Sequence, residues 1–239
     1  MSLNFVELDY QETPLGPVSL RRQRLKMFDN REIHEVKLGD DYLMSSLFTK
    51  VEEELARLGL AALDGAALEV VVGGLGLGYT AWTALQDPRV ASLLVVDYLQ
   101  PVIDWHQRGL VPLGPKLTGD PRCRFVHGDF FALSAADSAG YDPDQPDRLF
   151  HAILLDIDHS PDHLLHPRHA SFYDTPGLRA LAARLHPAGV FGLWSDDPPE
   201  PAFLARLRGV FTEVTTSVVA FPNPFLGRDS ESTVYVCRR

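Results

Sequence analysis

The sequence predicts an α/β fold, in which a doubly wound, Rossmann-like sheet of seven strands follows a small N-terminal β-hairpin region. From residue 46 onward, short apolar segments alternate with segments of helical periodicity, which is typical of parallel strands covered by helices on both faces. A turn rather than a helix joins the last two apolar segments, so these strands should pair antiparallel. Before residue 46, apolar and polar side chains alternate, as they do in a sheet with one solvated face.

Two domains are expected, a hairpin region at 1–45 and a Rossmann-like domain at 46–239. In the first, residues 18–20 and 33–38 alternate apolar and polar side chains on either side of a turn. The second begins with a helix, because apolar residues recur at helical spacing from position 47 to 58. Thr49 and Glu52 have the spacing of a capping box, in which the two residues cap each other's backbone amides.

The remaining elements follow in order. Strands are predicted at 68–72, 93–96, 124–126, 151–155 and 190–194, with the antiparallel pair near 210–220 and 232–237. Helices are predicted at 77–86, 100–108, 172–184 and 200–208. The stretch 134–148 is rich in Asp, Pro, Ala and Ser, and we expect a mobile loop there.

Charge and hydropathy narrow the function classes. The formal net charge of −10 argues against a nucleic-acid backbone as the partner, because phosphate binding needs a basic surface. No apolar run reaches the roughly 18 residues of a membrane span, and no signal peptide is recognisable. No membrane partner and a cytoplasmic location are therefore expected.

A doubly wound sheet binds its ligand beyond the carboxyl ends of its strands, and four loops there carry candidate residues. The first loop follows the strand at 68–72 and contains Gly73, Gly74, Gly76 and Gly78. Glycines let a ligand approach the backbone closely, and the following helix adds a favourable dipole. No Gly-Lys-Ser/Thr follows, which excludes a nucleoside-triphosphate P-loop.

The second and third loops suit an adenosine. Asp97 ends the strand at 93–96 and can accept hydrogen bonds from both ribose hydroxyls; its neighbour Tyr98 belongs either to the pocket or to the core. After the strand at 124–126 come Gly128, Asp129 and Phe130. Asp129 can reach the adenine amino group and Phe130 can cover the ring. The alternatives are a capping role for Asp97 and a helix N-cap for Asp129.

The fourth loop carries the candidate catalytic residues Asp156 and Asp158. Two carboxylates two positions apart on an extended segment share a face, so both are expected to face the cleft. There they can hold a cationic amine, and one can take its proton. His159 beside them, and Trp194 and Asp196 after the strand at 190–194, are predicted to line the substrate pocket.

Histidines crowd the same loop, namely His159, His163, His166 and His169. Four imidazoles close in sequence suggest a metal site. The segment contains two prolines and no helical frame to align the rings, so no metal is expected.

These motifs resemble the spermidine synthase-like proteins, which are polyamine aminopropyltransferases built on the class I S-adenosylmethionine-dependent methyltransferase sheet. The resemblance rests on Val-Val-Gly-Gly-Leu-Gly-Leu-Gly, Val-Val-Asp97, His-Gly-Asp129 and Leu-Leu-Asp156, and on the hairpin that precedes them. It implies S-adenosylmethionine or its decarboxylated form as co-substrate, a small-molecule amine as acceptor, and a homodimer with the hairpin at or near the interface. It would assign the donor's ribose to Asp97 and its adenine to Asp129, with Asp156 beside the attacking amine.

The sequence departs from the family pattern in the residues that hold the polyamine. Leu75 or Leu77 stands where the family has an aspartate in its glycine motif, and His159 stands where it has a second acid. Leu43-Met44-Ser45 replaces a Tyr-His-Glu motif. Three functions stay open: aminopropyl transfer to an amine, methyl transfer to a small molecule, and non-catalytic nucleoside binding. An NAD oxidoreductase is disfavoured by Asp129 and by the antiparallel end of the sheet.

Overall fold

The computed structural model describes residues 5–239, so the first four residues of the predicted hairpin region lie outside the described part of the chain. The N-terminal sheet is antiparallel, with four strands in the order β1-β2-β3-β4. These are β1 (Phe5–Thr13), β2 (Gly16–Leu25), β3 (Arg31–Leu38) and β4 (Asp41–Ser45). The predicted hairpin is confirmed as β2 and β3, in which Leu20 lies opposite Val36, and β1 and β4 extend it on both sides.

The second sheet has seven strands in the order β10-β11-β9-β8-β5-β6-β7. They are β5 (Leu68–Gly73), β6 (Val90–Asp97), β7 (Cys123–His127), β8 (Phe150–Leu155), β9 (Leu185–Ser195), β10 (Glu213–Asn223) and β11 (Arg228–Arg238). The strands β5 to β9 pair in parallel. The last strand, β11, lies between β9 and β10 and is antiparallel to both, which confirms the predicted fold class.

Seven α-helices are found among the described residues. They are α1 (Lys50–Ala61), α2 (Tyr79–Leu85), α3 (Gln100–Gln107), α4 (Gly114–Gly119), α5 (Phe130–Ser134), α6 (Thr175–Ala183) and α7 (Pro201–Arg208). The short helices α4 and α5 were not predicted. Within residues 5–239, every helix is too short or too polar to cross a membrane.

Apolar clusters cover both faces of the seven-stranded sheet, and the N-terminal sheet shares one of them. Val18, Leu20 and Val36 of the small sheet are almost fully buried in the same cluster as Leu55 of α1 and Val72 of β5. Burial of these side chains away from water stabilises the contact between the two sheets. The small sheet therefore shares an apolar core with the larger one.

The stretch 134–148, predicted to be a mobile loop, is packed against the protein. Tyr141 is buried and stacks on Phe130 with 5.0 Å between the ring centroids. The buried carboxylate of Asp142 accepts a hydrogen bond from Arg148 at 2.7 Å. The polar residues of the stretch 134–148 form buried ion pairs as well as solvated surface. Composition alone does not distinguish these two roles.

Candidate active site

A cavity lies beyond the carboxyl ends of the parallel strands, between the large sheet and the N-terminal sheet. The space between its walls is about 1200 Å³ when the open mouth is included. The predicted site residues that line it are Gly74, Gly76, Asp97, Tyr98, Asp129, Phe130, Asp156, His159 and Trp194. The predicted residues Gly73, Gly78, Gly128, Asp158 and Asp196 lie outside its lining.

The glycine-rich turn between β5 and α2 is held in place by side chains from other elements. Gly74 has a φ of +94°, and a Cβ there would collide with the carbonyl oxygen of Asp156. Only glycine meets both conditions. His106 of α3 contacts the turn, and its Nε2 lies 3.0 Å from the carbonyl oxygen of Gly76. Burial lowers the pKa of His106 to about 4, so this ring is neutral at physiological pH and donates from Nε2.

Asp97 ties the turn to the end of β6. Its Oδ2 accepts a hydrogen bond from the Leu75 amide at 2.8 Å, and its Oδ1 accepts one from the Leu99 amide at 2.7 Å. The capping alternative is not found, because Leu99 is the N-cap residue of α3 and no side chain caps that helix; Asp97 instead holds two loop amides. A carboxylate oxygen accepts more than one hydrogen bond, so Asp97, which lines the cavity, can still receive ligand hydroxyls.

Asp129 also has a structural role. Its Oδ1 accepts hydrogen bonds from the amides of Phe131, at 3.0 Å, and Ala132, at 3.2 Å, as the N-cap of α5. Within the described residues no hydrogen bond reaches Oδ2, and the side chain lines the cavity. Asp129 therefore combines the N-cap with an acceptor that is free for a ligand.

Asp156 faces the cavity, and its Oδ2 accepts a hydrogen bond from the hydroxyl of Thr80 at 2.8 Å. The carboxyl of Glu52, from the first turn of α1, lines the same cavity. The predicted capping box at Thr49 and Glu52 is wrong. Thr49 is the N-cap residue, but no side chain caps that end of the helix, and its hydroxyl donates to Glu53 at 3.0 Å. Glu52 is thereby left free to point into the cavity.

Glu52 and Asp156 form an acidic pair in a poorly solvated place. Burial raises the pKa of both carboxyls, and the charge of Asp156 raises the pKa of Glu52 further. Asp196 adds to this effect on Glu52 from outside the cavity lining, where its carboxylate accepts a hydrogen bond from Ser232. Such a pair favours a bound cation or a bound proton.

Asp158 corrects the expectation that both carboxylates face the cleft. Its side chain is buried, and it accepts hydrogen bonds from the Leu165 amide at 2.8 Å, from His169 Nδ1 at 2.8 Å and from the Tyr173 hydroxyl at 3.0 Å. The strand ends at Leu155, so the alternation of side chains in an extended chain no longer applies two residues later. Asp158 anchors the loop, and Asp156 alone of the two faces the cavity.

The loop histidines have separate partners. His169 binds Asp158 and stacks on Phe131 with 3.8 Å between the centroids. His163 Nδ1 lies 2.9 Å from a carboxylate oxygen of Asp197, and His166 accepts a hydrogen bond from the Arg168 amide. The polar side chains of the cavity wall on this side are those of His159, His166, Arg168 and His169.

The opposite wall comes from the N-terminal sheet, which sequence reasoning did not connect to the site. It is apolar and consists of Leu15, Val36, Leu38, Leu43 and Met44. Met44 also contacts the glycine turn, because its sulfur accepts a hydrogen bond from the Leu77 amide at 3.1 Å. The alternating pattern of the hairpin predicted a buried face but gave no signal of what that face covers.

Replacing Glu52 by glutamine is expected to stabilise the protein at alkaline pH and to leave stability unchanged at acid pH. A carboxyl whose pKa is raised on folding stabilises the folded state only while it is protonated, so this contribution is lost as pH rises through the raised pKa. Glutamine does not ionise and avoids the loss. Thermal unfolding across the pH range measures the difference.

Glu53→Gln is the matched control, because Glu53 pairs with Arg57 at 2.8 Å on the outside of the same helix. An exposed pair of this kind contributes about 0.3–0.5 kcal/mol, so the control should lose a little stability at neutral and alkaline pH. Equal behaviour of the two variants would show that Glu52 is well solvated and is not part of an acidic pair.

Solved structures with a similar fold are found for this chain, whereas comparisons of its sequence find no match. No family model matches the chain, and no curated protein matches it. A crystal structure of spermidine synthase in complex with the transition state analogue AdoDATO matches 97% of this chain and 73% of its own, with a TM-score of 0.72 and 14% identity. Spermidine synthase from Thermotoga maritima matches 97% of this chain and 72% of its own, with a TM-score of 0.70 and 14% identity. The resemblance found in the motifs is thus confirmed as a likeness of fold: the chain has the N-terminal β-sheet and the seven-stranded mixed sheet of spermidine synthase.

Proposed function

We propose that the chain is a transferase that binds decarboxylated S-adenosylmethionine in the cavity and transfers its aminopropyl group to a small amine. The observation that carries the proposal is the acidic pair of Glu52 and Asp156, which lies in the same cavity as Asp97 and Asp129. The first pair suits cationic groups, and the second suits an adenosine. The donor has both parts, because it joins an adenosine to a sulfonium and an ammonium.

The nucleoside is assigned to the glycine turn. Gly74 and Gly76 let its sugar approach the backbone, Asp97 is positioned to accept the ribose hydroxyls, and Oδ2 of Asp129 is free to accept from the adenine amino group. The apolar wall of the N-terminal sheet excludes water from the bound donor.

The reaction is a displacement at carbon. The amine nitrogen attacks the methylene carbon beside the sulfonium, a C–N bond forms, and the C–S bond breaks with its electron pair going to sulfur. The products are a neutral thioether nucleoside and the alkylated amine, whose nitrogen releases one proton. Asp156 is the proposed acceptor of that proton, because its raised pKa suits a base working near neutral pH. Holding both reactants in line supplies much of the remaining acceleration.

Glu52 supports the decarboxylated donor over S-adenosylmethionine. The resemblance places an aspartate for the donor's amine at Leu75 or Leu77, but both side chains are buried in the core. Glu52 supplies a carboxyl to the cavity from α1 instead. That carboxylate attracts the donor's ammonium and repels the additional carboxylate of S-adenosylmethionine.

Methyl transfer from S-adenosylmethionine is the second candidate, favoured by Arg168. This side chain lines the cavity, and a guanidinium can pair with the carboxylate of the intact donor. In that case Asp156 would serve an acceptor other than a polyamine.

Calorimetric titration of the purified protein with three ligands tests the proposal: decarboxylated S-adenosylmethionine, S-adenosylmethionine and the tail-free 5′-methylthioadenosine. The decarboxylated donor is expected to bind most tightly, and Glu52→Gln should weaken it about tenfold or more while leaving 5′-methylthioadenosine unchanged. Glu53→Gln should behave as the wild type does.

Tighter binding of S-adenosylmethionine would replace aminopropyl transfer by methyl transfer. Binding of none of the three would contradict the nucleoside site itself. Donor binding with no product from a panel of amines would favour a non-catalytic nucleoside-binding module.

A further inference from the structure

Within residues 5–239, one group of three side chains has the composition and spacing of a metal-binding site: Glu69, His151 and His186. One potential ligand atom from each lies within 4.8 Å of the others. The three residues stand at the beginnings of β5, β8 and β9, which are neighbours in the sheet. The group therefore lies at the amino ends of these strands, whereas the cavity lies beyond their carboxyl ends, so it is separate from the proposed active site.

His186 carries the clearest signal of a missing partner. Its Nε2 atom is buried and has no hydrogen bond among the described residues. The nearest carboxylate oxygen, Oε2 of Glu69, is 3.6 Å away, which is too far for a hydrogen bond. A buried polar atom without a partner is unfavourable by about 1–3 kcal/mol. A metal ion between Nε2 and Oε2 would satisfy both atoms.

The surroundings orient Glu69 for this role. Arg148 donates to Oε1 of Glu69 at 2.6 Å, which fixes the carboxylate and leaves Oε2 on the side of His186. Metal-binding carboxylates are commonly held by a second hydrogen bond in this way. The ring of His151 lies 4.4 Å from that of His186, measured between centroids.

Metal binding by His151 requires the loss of an existing hydrogen bond. Its Nδ1 accepts a hydrogen bond from the Glu69 amide at 3.1 Å, so the neutral ring carries its proton on Nε2. A metal that binds this ring has to displace the amide contact. We therefore expect an affinity below that of a closed structural zinc site, with His186 and Glu69 as the stronger ligands.

We propose that Glu69, His151 and His186 bind one late first-row divalent cation, with Zn²⁺ as the reference metal. Two imidazoles and a carboxylate form a nitrogen and oxygen set that suits Zn²⁺ and its neighbours, and three protein ligands leave a position open for water. The ion would link three adjacent strands at the second residue of each. The proposal is independent of the proposed transferase function, because no residue is shared with the cavity.

Titration of tag-free protein with Zn²⁺ tests the proposal, with calorimetry for stoichiometry and thermal unfolding for stability. One ion per chain and a rise in unfolding temperature are expected, because a ligand that binds only the folded state stabilises it. His186→Ala should weaken binding at least tenfold and remove the rise. His163→Ala should change neither, because His163 is an exposed histidine paired with Asp197.

A second measurement does not depend on any variant. Co²⁺ bound to the wild-type chain should show the strong visible absorption of a four- or five-coordinate site, which excess Zn²⁺ abolishes. The proposal is overturned if the wild type binds no stoichiometric ion, or if it binds only with the spectrum of hydrated Co²⁺. It is also overturned if a folded His186→Ala variant binds as the wild type does.

Discussion

Replacement of Asp156 by asparagine is expected to lower turnover by about two to four orders of magnitude, the usual contribution of a general base. The amide retains an oxygen that can accept the hydrogen bond of Thr80 but cannot take a proton from the acceptor amine. The loss should therefore appear in kcat, with donor affinity changed much less. Formation of 5′-methylthioadenosine from the decarboxylated donor and a panel of amines measures turnover, and calorimetry measures donor binding.

Asp162→Asn is the control, since Asp162 is an exposed residue of the same loop and lies outside the cavity lining. It should retain wild-type activity. If Asp156→Asn turns over at the wild-type rate, another group takes the proton. If donor affinity and turnover fall by the same factor, Asp156 binds the donor and does not act as the base.

Gly74→Ala is expected to reduce the free energy of unfolding by roughly 2–6 kcal/mol, adding backbone strain to overpacking. The positive φ at this position disfavours any side chain, and the new methyl group would meet the Asp156 carbonyl. The turn that the nucleoside is proposed to occupy would have to shift, so donor binding should be lost as well. Urea unfolding and calorimetry measure the two effects.

Gly119→Ala provides the matched comparison. Gly119 ends α4 without a positive φ, and a Cβ there would meet nothing within 4 Å. This variant should be as stable as the wild type or slightly more so, because alanine is favoured over glycine in a helix by about 0.5–1 kcal/mol. Similar losses in both variants would show that the turn has no special steric requirement.

Periodicity predicted the large sheet because its strands are continuously apolar and its longer helices are amphipathic. It did not predict α4, which begins Gly114-Pro115 and ends at Gly119, since glycine and proline are poor helix formers. It also missed β1, in which no residue is fully buried and whose register shifts between Glu7 and Asp9.

Site residues were predictable where the position of the backbone at a strand end is enough to place them in the site. Gly74, Asp97, Asp129 and Asp156 follow strand ends, and strand ends of a parallel sheet meet at one edge. Glu52 was missed because the same spacing to Thr49 fits a capping box, and only the rotamer and the tertiary contacts of α1 decide where its carboxyl points. Asp158 was misplaced for a related reason, since the chain bends after Leu155.

The shared core of the two sheets has a consequence for the lifetime of the site. Val18, Leu20 and Val36 anchor the small sheet on the larger one, and Leu38 belongs to the same sheet and forms part of the cavity wall. Local unfolding of the small sheet would therefore admit water to Asp156 while the large sheet stayed intact. The fraction of time for which the cavity is closed to solvent then depends on an opening equilibrium of the N-terminal strands. Substitutions far from the acidic pair can alter that equilibrium.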